Sequence, residues 1–184
     1  FCGNGSDEVL AIAFQTFFEK KSLTGLPVLM PDYSYSFYPV FSEFYDIRRK
    51  TIALKEDFRL DPDDYIGVPN CGIVFANPNA PTSRAIAVED CARIAEANPD
   101  SVVIVDEAYV AFEEDYESAV SLINKYKNVC VIRTLSKAFS LAGIRLGYAV
   151  GSEELIEGLK RARDSFNSYP VDRLAKKVAE AALL

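Results

Sequence analysis

The sequence predicts an α/β fold, a three-layer α/β/α sandwich with a mostly parallel sheet, and two patterns carry that prediction. Short runs rich in β-branched residues alternate with longer segments of helical period along the chain. Several of the short runs are apolar at consecutive positions, which is typical of strands covered by helices on both faces. The length of 184 residues corresponds to a single domain, since one domain is expected per roughly 150 residues.

Six strands are predicted from the apolar runs: residues 28–30, 47–54, 72–76, 102–106, 128–134 and 146–150. Helices are predicted between them from capping residues and apolar stripes. The predicted helices are residues 9–18, 34–45, 88–98, 155–166 and a final one that follows Pro170. The final helix is expected to bury Leu174, Val178, Ala181 and Ala182.

We expect the domain to be incomplete at both ends. The first helix begins only a few residues into the chain, so the strand that should lead into it would be essentially missing. The last helix ends on Ala-Ala-Leu-Leu without a capping Gly, Lys or Arg, and its apolar surface would lack cover. The first residue is Phe1 rather than Met.

Charge and composition exclude several classes of function. Twenty Lys and Arg against 27 Asp and Glu give a net charge of −7. This balance argues against a general affinity for nucleic-acid phosphates or anionic membranes. The chain contains no histidine, which excludes a Ser-His-Asp triad, a Cys-His dyad, an HExxH zinc site and any histidine general base within it.

The cysteines and the N-terminus predict a cytoplasmic protein without a metal site. Cys2, Cys71, Cys91 and Cys130 include no CxxC pair, so a zinc ribbon or a thioredoxin-type redox site has no support. All but Cys2 lie among apolar neighbours, as is typical of buried thiols in a reducing compartment. The N-terminus lacks a signal-peptide pattern, and no run of 18 apolar residues occurs.

The segment TLSKAFSLAGIRLGY, residues 134–148, carries the first candidate site. Lys137 comes just after a predicted strand, at the sheet edge where open α/β sheets bind ligands. A desolvated lysine there has a lowered pKa and a free amine for Schiff-base formation. The hydroxyls of Thr134 and Ser136, with the Arg145 guanidinium, suit a dianionic phosphate. Taken alone, Lys137 is also typical of a solvated loop cation.

Three other segments place polar groups at the same edge. Asp106 ends the apolar strand of VVIVDEAYVAF, and Tyr109 follows three residues later. Asn77 follows the buried strand of VFANPNAPTS, in a turn stiffened by two prolines. Each of these residues alone is also typical of an ordinary turn after a strand.

Two features at the N-terminal side complete the set. In CGNGSDE, glycines precede a helix that begins near Ser6 and Asp7, so backbone N–H groups are exposed for an anion. Tyr33 follows a strand end and could stack on a planar ring. Lysine, aspartate, asparagine, tyrosine and a phosphate nest at strand ends match one ligand, pyridoxal 5′-phosphate. None of these roles requires histidine.

In order and spacing, GNGSDE, NAPT, DEAYVAF and TLSKAFSLAGIRLGY resemble the motifs of fold-type I aminotransferases, specifically the histidinol-phosphate aminotransferase group of class I/II. The resemblance implies that Lys137 forms the imine with the cofactor and then moves the proton. It also implies that Asp106 binds the pyridine nitrogen and that Tyr33 stacks on the ring. Asn77 and Tyr109 would bind the phenolic oxygen. The implied phosphate ligands are Ser6, Asp7, Thr134, Ser136 and Arg145.

The chain departs from this family in two ways. Ser83 stands where the family has a glycine after NxPT, and a positive φ there would cost about 1 kcal/mol or somewhat more. Family members are about twice as long as this chain. The resemblance therefore implies that residues 1–184 are the cofactor-binding large domain, without the N-terminal segment and without the small domain that carries the arginine for the substrate carboxylate.

The resemblance predicts transamination between an amino acid or amino-alcohol phosphate, such as histidinol phosphate, and 2-oxoglutarate. The expected partners are a small-molecule amino donor, a 2-oxo acid acceptor and a second copy in a homodimer, with no nucleic acid and no membrane. Two alternatives remain open. One is a decarboxylase resembling threonine-phosphate decarboxylase, which would keep every cofactor residue. The other is an incomplete domain that binds the cofactor without turnover.

Overall fold

The computed structural model describes residues 1–112 and 117–183. Its strands are β1 (Cys2–Asn4), β2 (Val28–Pro31), β3 (Arg49–Ile52), β4 (Gly72–Ala76), β5 (Val103–Asp106), β6 (Val129–Thr134) and β7 (Leu146–Gly151). They form one sheet in the order β1-β7-β6-β5-β4-β2-β3. The pairs β2/β3, β2/β4, β4/β5 and β5/β6 are parallel, whereas β7 is antiparallel to both β6 and β1. The predicted mostly parallel sheet is confirmed.

Helices cover both faces of the sheet and confirm the three layers. They are α1 (Gly5–Phe17), α2 (Phe37–Phe44), α3 (Val88–Ala97), α4 (Glu153–Asp164) and α5 (Arg173–Leu183). One core contains side chains of α1, α2 and α4 packed on one face, including Val74 of β4. The other core packs α3 on the opposite face, against Ile73 and Phe75 of the same strand. Alternate residues of a buried strand therefore serve two separate cores.

The first strand differs from the sequence prediction. Residues Cys2–Asn4 form β1 at the sheet edge, paired antiparallel with β7. The backbone of Phe1 extends the pairing, because its amino group donates to Ala149 O at 3.0 Å and its carbonyl accepts from Ala149 N at 2.8 Å. Three residues show no period of their own, so only this long-range pairing identifies them as a strand.

The predicted inner face of the final helix is wrong. Ala175 and Ala179 are the buried residues of α5, whereas Leu174 is 77% exposed. The helix packs with Ala179 near Leu135 and Leu146, where small side chains allow a close approach. Apolar residues lie on two adjacent stripes of this helix, and packing selects the stripe of small residues. Leu184 lies outside the described residues.

Strand register brings the polar side chains together. Ala76, the last residue of β4, pairs with Asp106, the last residue of β5, and Asp106 in turn pairs with Ile132 of β6. The carboxyl ends of three parallel strands therefore end side by side, the usual place for a ligand in this fold class. Within residues 1–112 and 117–183, the structure has no helix with both the length and the apolarity needed to span a membrane.

Candidate active site

A cavity of about 190 Å³ lies at the carboxyl ends of β4, β5 and β6, against the start of α1. It is lined by Ser6, Asp7, Tyr35, Ala76, Ala80, Asp106, Ala108, Tyr109, Ser136, Lys137, Ala142 and Arg145. Seven of the ten residues singled out in the sequence are in this lining: Ser6, Asp7, Asp106, Tyr109, Ser136, Lys137 and Arg145. Segments more than 100 residues apart in the chain thus form one site.

Asp106 is the buried acid of the cavity, only 4% exposed at the end of β5. Its Oδ2 accepts a hydrogen bond from the Tyr38 hydroxyl at 2.8 Å, and its Oδ1 accepts one from the Ala108 N–H at 3.1 Å. Burial raises the pKa of Asp106 to about 6, although both hydrogen bonds oppose the rise. A buried carboxylate of this kind is stabilised when a cationic or N–H group approaches it.

Lys137 lies three residues past the end of β6, in the turn that the sequence predicted. Its Nζ lies 5.3 Å from the centre of the Tyr109 ring, a distance typical of a cation–π contact. Both residues line the cavity, and Lys137 is exposed overall. The lysine amine therefore faces a space that also contains the buried Asp106.

The opposite end of the cavity combines a helix start with a guanidinium. Helix α1 begins at Gly5, so Ser6 and Asp7 belong to its first turn, whose backbone N–H groups lack partners within the helix. Arg145 Nη2 lies 3.6 Å from Asp7 Oδ2, and Arg145 Nη1 donates to Ala142 O at 3.2 Å. The positive end of the helix and the arginine both favour an anion here.

Two glycines make this end of the cavity tight. Gly5 has φ +82°, and a Cβ built on it would lie 2.4 Å from Arg145 Nη2. A Cβ on Gly147 of β7 would lie 2.3 Å from the backbone nitrogen of Ser6. A side chain at either position would occupy the space that lets the start of α1, β7 and the arginine approach one another.

Tyr35 lines the cavity together with Tyr109, and the sequence did not single it out. Its hydroxyl donates to Asp7 Oδ1 at 2.7 Å. Burial, with a smaller effect of Asp7, raises the pKa of the Tyr35 phenol. Tyr33 is 60% exposed and contacts Phe58 instead, outside the cavity lining. The spacing of Tyr35 and Tyr38, three residues apart at the start of a helix, is a signal that could have identified the pair.

Asn77 and Thr134 lie beside the cavity rather than in its lining. The Asn77 side chain is buried and pairs with the backbone of Ile86, donating to its carbonyl and accepting from its N–H, both at 3.0 Å. Ala80 of the same loop lines the cavity. Thr134 Oγ1 accepts from the Ser136 N–H at 3.1 Å and so holds the turn that precedes Lys137.

Ser83, where the resemblance has a glycine, lies in the left-handed region of the backbone. This residue has φ +57°, and its N–H donates to Asn79 O at 2.8 Å within the loop after β4. In this left-handed conformation, the Cβ of a non-glycine residue lies too close to the carbonyl oxygen that follows, which causes steric strain.

A buried ion pair on the other side of Asp106 was not anticipated from the sequence. The Glu107 side chain is fully buried and accepts from Arg133 Nε at 2.9 Å. It also accepts from the Ser118 hydroxyl and the Ala119 N–H, both at 2.7 Å. These contacts tie the ends of β5 and β6 to residues 118–119. Glu107 directly follows the last residue of β5 and is outside the cavity lining, so it supports the sheet edge while Asp106 faces the cavity.

Two curated aminotransferases are similar to this chain over its whole length. Histidinol-phosphate aminotransferase 1 of Bordetella parapertussis is 53% identical over 185 residues, and histidinol-phosphate aminotransferase 2 of Dechloromonas aromatica is 50% identical over 183 residues. Both matches cover 100% of this chain and 50% of the relative, so the chain spans about half the length of these curated relatives.

A solved structure has the same fold. The crystal structure of a putative histidinol-phosphate aminotransferase from Erwinia carotovora atroseptica superposes with a TM-score of 0.87 at 20% sequence identity. It covers 100% of this chain and 54% of the other chain. The sequence family "Aminotransferase class I and II" matches residues 1–184. The chain therefore belongs to the class I and II aminotransferases.

Proposed function

We propose that residues 1–184 are the cofactor-binding large domain of a longer pyridoxal 5′-phosphate-dependent aminotransferase. Its proposed reaction transfers an amino group from histidinol phosphate, or a similar amino acid or amino-alcohol phosphate, to 2-oxoglutarate. The observation that carries the proposal is one cavity lined by a buried acid, a lysine and an anion-binding end: Asp106, Lys137 and Arg145. The names of the two relatives at 50–53% identity support the substrate class.

The residues present fit pyridoxal phosphate at three points. Asp106 is a buried carboxylate whose pKa burial raises to about 6, so an N–H group of a pyridine ring would stabilise its charged form. The start of α1 with Ser6, together with Ser136 and Arg145, would bind the phosphate at the end of the cavity where Gly5 and Gly147 let these groups approach one another. Lys137 would attach the cofactor through its amine.

The remaining assignments follow the cavity lining. Tyr109 would donate its phenol to the ring oxygen, and Tyr35 is proposed as the aromatic wall in place of Tyr33. Asn77 and Thr134 would act through the loops that they hold. Asp7 would orient Tyr35 and Arg145 through its two carboxylate oxygens.

Bound pyridoxal phosphate supplies an aldehyde and an aromatic ring that withdraws electrons. The chain supplies the proton chemistry. The Lys137 Nζ lies beside the Tyr109 ring. It would accept the proton from the α-carbon of the amino donor and return it to the carbon that carries the aldehyde in the free cofactor. The Asp106 carboxylate would keep the ring nitrogen protonated, which maintains its demand for electrons. The buried position of Asp106 excludes water from this contact and strengthens it.

The proposal includes a homodimer that works in the cytoplasm. Phe37, Val40 and Phe44 lie on one side of α2 and are exposed, although large apolar side chains favour burial. Phe37 stacks on Tyr35 of the cavity at 5.6 Å, so a second copy that covers this side of α2 would also border the site. The cysteines, Cys2, Cys71, Cys91 and Cys130, are all free thiols, which suits a reducing compartment.

The test is a Lys137→Ala variant of the full reading frame that contains this chain. Wild-type protein mixed with pyridoxal phosphate should gain an absorbance band near the visible edge, and borohydride should fix the cofactor on the peptide that contains Lys137. The variant should lose both signals. Lys50→Ala, at an exposed lysine of the edge strand β3, is the matched control and should keep them. An unchanged band in Lys137→Ala would contradict the assignment.

Substrate assays separate the alternatives. Formation of glutamate from histidinol phosphate and 2-oxoglutarate supports the aminotransferase. Release of CO2 from threonine phosphate without formation of glutamate would favour the decarboxylase. Cofactor binding without either reaction in residues 1–184 alone, with turnover in the full reading frame, would identify this chain as a binding domain that needs the rest of the protein.

A further inference from the structure

Tyr38 connects the aromatic core to the acid of the cavity. It is 1% exposed, and its hydroxyl donates to Asp106 Oδ2 at 2.8 Å. Its ring packs almost perpendicular to Tyr35 at 5.6 Å and stacks on Phe14 at 6.3 Å. Because α1 and α2 fix the ring, the position of the hydroxyl is set by the core and not by solvent.

Hydrogen bonds to the Asp106 carboxylate come from two directions. The Ala108 N–H donates to Oδ1 from the backbone of the same turn. Within residues 1–112 and 117–183, Tyr38 is the one side chain that donates to Asp106. Tyr38 is outside the cavity lining, so it reaches the site only through this carboxylate.

Other charges near Asp106 work against its ionisation. Asp7 on α1 and Glu107, directly after β5, are carboxylates whose negative charge opposes a charge on Asp106. Burial opposes the charge more strongly than either. Lys137 and Arg145 are the cations that line the same cavity, and Tyr35 and Tyr109 are its phenols.

We infer that Tyr38 is a positioning residue for Asp106: its buried hydroxyl keeps the carboxylate charged and aimed at the nitrogen of the proposed cofactor. The inference rests on the proposed function for the cofactor and on the observed contact for the carboxylate. A purely structural Tyr38 would fill the core with its ring, and its hydroxyl would have no influence on cofactor affinity.

The expected size of the effect follows from the hydrogen bond. A hydrogen bond to a charged group changes its proton affinity about tenfold, so Tyr38→Phe should raise the pKa of Asp106 from about 6 to about 7. At pH 6 the ionised fraction would fall from about one half to about one eleventh. The dissociation constant for pyridoxal phosphate should then rise about fivefold at pH 6 and by less than about 1.2-fold at pH 8.5.

The experiment measures the affinity of Tyr38→Phe for pyridoxal phosphate between pH 5.5 and 9 in the full reading frame. Tyr65→Phe is the matched control, because Tyr65 is equally buried and its hydroxyl has no hydrogen-bond partner among the described residues. The ratio of the variant's dissociation constant to that of wild type removes the effect of the cofactor's own titration. The ratio for Tyr38→Phe should grow as pH falls, and the ratio for Tyr65→Phe should stay near one at every pH.

A second measurement uses the protein without cofactor. The infrared band of protonated Asp106, identified by its loss in Asp106→Asn, should have its midpoint near pH 6 in wild type and about one pH unit higher in Tyr38→Phe. An unchanged midpoint, or an equal change in Tyr65→Phe, would overturn the inference. If the midpoint moves as expected but wild type does not bind pyridoxal phosphate, the proposed function fails and the control of Asp106 by Tyr38 stands.

Discussion

Gly147 offers a direct test of how the end of the cavity at the start of α1 is built. It lies on β7, paired with Thr134 of β6 and Gly3 of β1. A Cβ at Gly147 would lie 2.3 Å from Ser6 N and 2.4 Å from Gly5 C. Ordinary contacts begin near about 3.5 Å, so Gly147→Ala must displace the start of α1 by about 1 Å. Backbone atoms cannot rotate away as a side-chain end would.

The displacement should lower both stability and affinity. Forced overpacking in a core costs about 1–3 kcal/mol, and we expect the upper end because the clash is with backbone. A shift of about 1 Å in a binding group can cost on the order of a hundredfold, so affinity for pyridoxal phosphate should fall at least about tenfold. The measurements are urea unfolding and a pyridoxal phosphate titration monitored by absorbance.

Gly143→Ala is the matched control, since a Cβ at Gly143 would meet no atom within 4 Å. It lies four residues away, in the turn Ala142–Ile144 that also borders the cavity. Its unfolding free energy should stay within about 0.5 kcal/mol of wild type. Equal stability and equal affinity in Gly147→Ala and Gly143→Ala would refute the idea that close approach of α1 to β7 builds this end of the site.

Two further predictions concern backbone strain and the buried acid. Ser83→Gly should raise the unfolding free energy by about 1 kcal/mol, because φ at Ser83 is +57°. Ser22 is exposed and is not one of the positive-φ positions, so Ser22→Gly should lower the unfolding free energy by about 0.5–1 kcal/mol. If urea unfolding shows that both variants change the unfolding free energy in the same direction, the strain argument is contradicted. Asp106→Asn should stabilise the cofactor-free protein by about 1–3 kcal/mol at pH 8 while weakening cofactor binding. The Asp106 pKa rises from 3.8 to about 6 on folding. Asp106 therefore contributes its full stability below pH 3.8, and this contribution is lost as pH rises through 6. A difference in unfolding free energy between Asp106→Asn and wild type that does not depend on pH would contradict the prediction.

Local pattern was sufficient for the parts of the site that lie directly at strand ends. Asp106 ends a run of consecutive apolar residues, and Lys137 follows the next strand closely, so a parallel sheet leaves little freedom in where they meet. The same holds for the helix start at Ser6, because capping and dipole effects depend on neighbours in sequence. The left-handed φ of Ser83 occurs at the position that the motif comparison singled out.

Side chains in loops could not be assigned in this way. Asn77 and Ala80 are three residues apart in one loop, and which of them borders the cavity depends on the pairing of Asn77 with Ile86. Tyr33 and Tyr35 both follow β2, and contacts with Asp7 bring Tyr35 into the cavity. In both loops the direction of the side chain is set by a partner distant in sequence.

The sequence by itself therefore determined the fold class and the placing of Lys137, Asp106 and the start of α1 at one edge of the sheet, because each rests on a period or on neighbours along the chain. Tertiary structure alone decided the β1 pairing, the buried stripe of α5, the presence of Tyr35 rather than Tyr33 in the cavity lining and the contact of Tyr38 with Asp106. These features depend on long-range contacts between surfaces whose shapes exist only after the chain has folded, and local propensity carries no information about them.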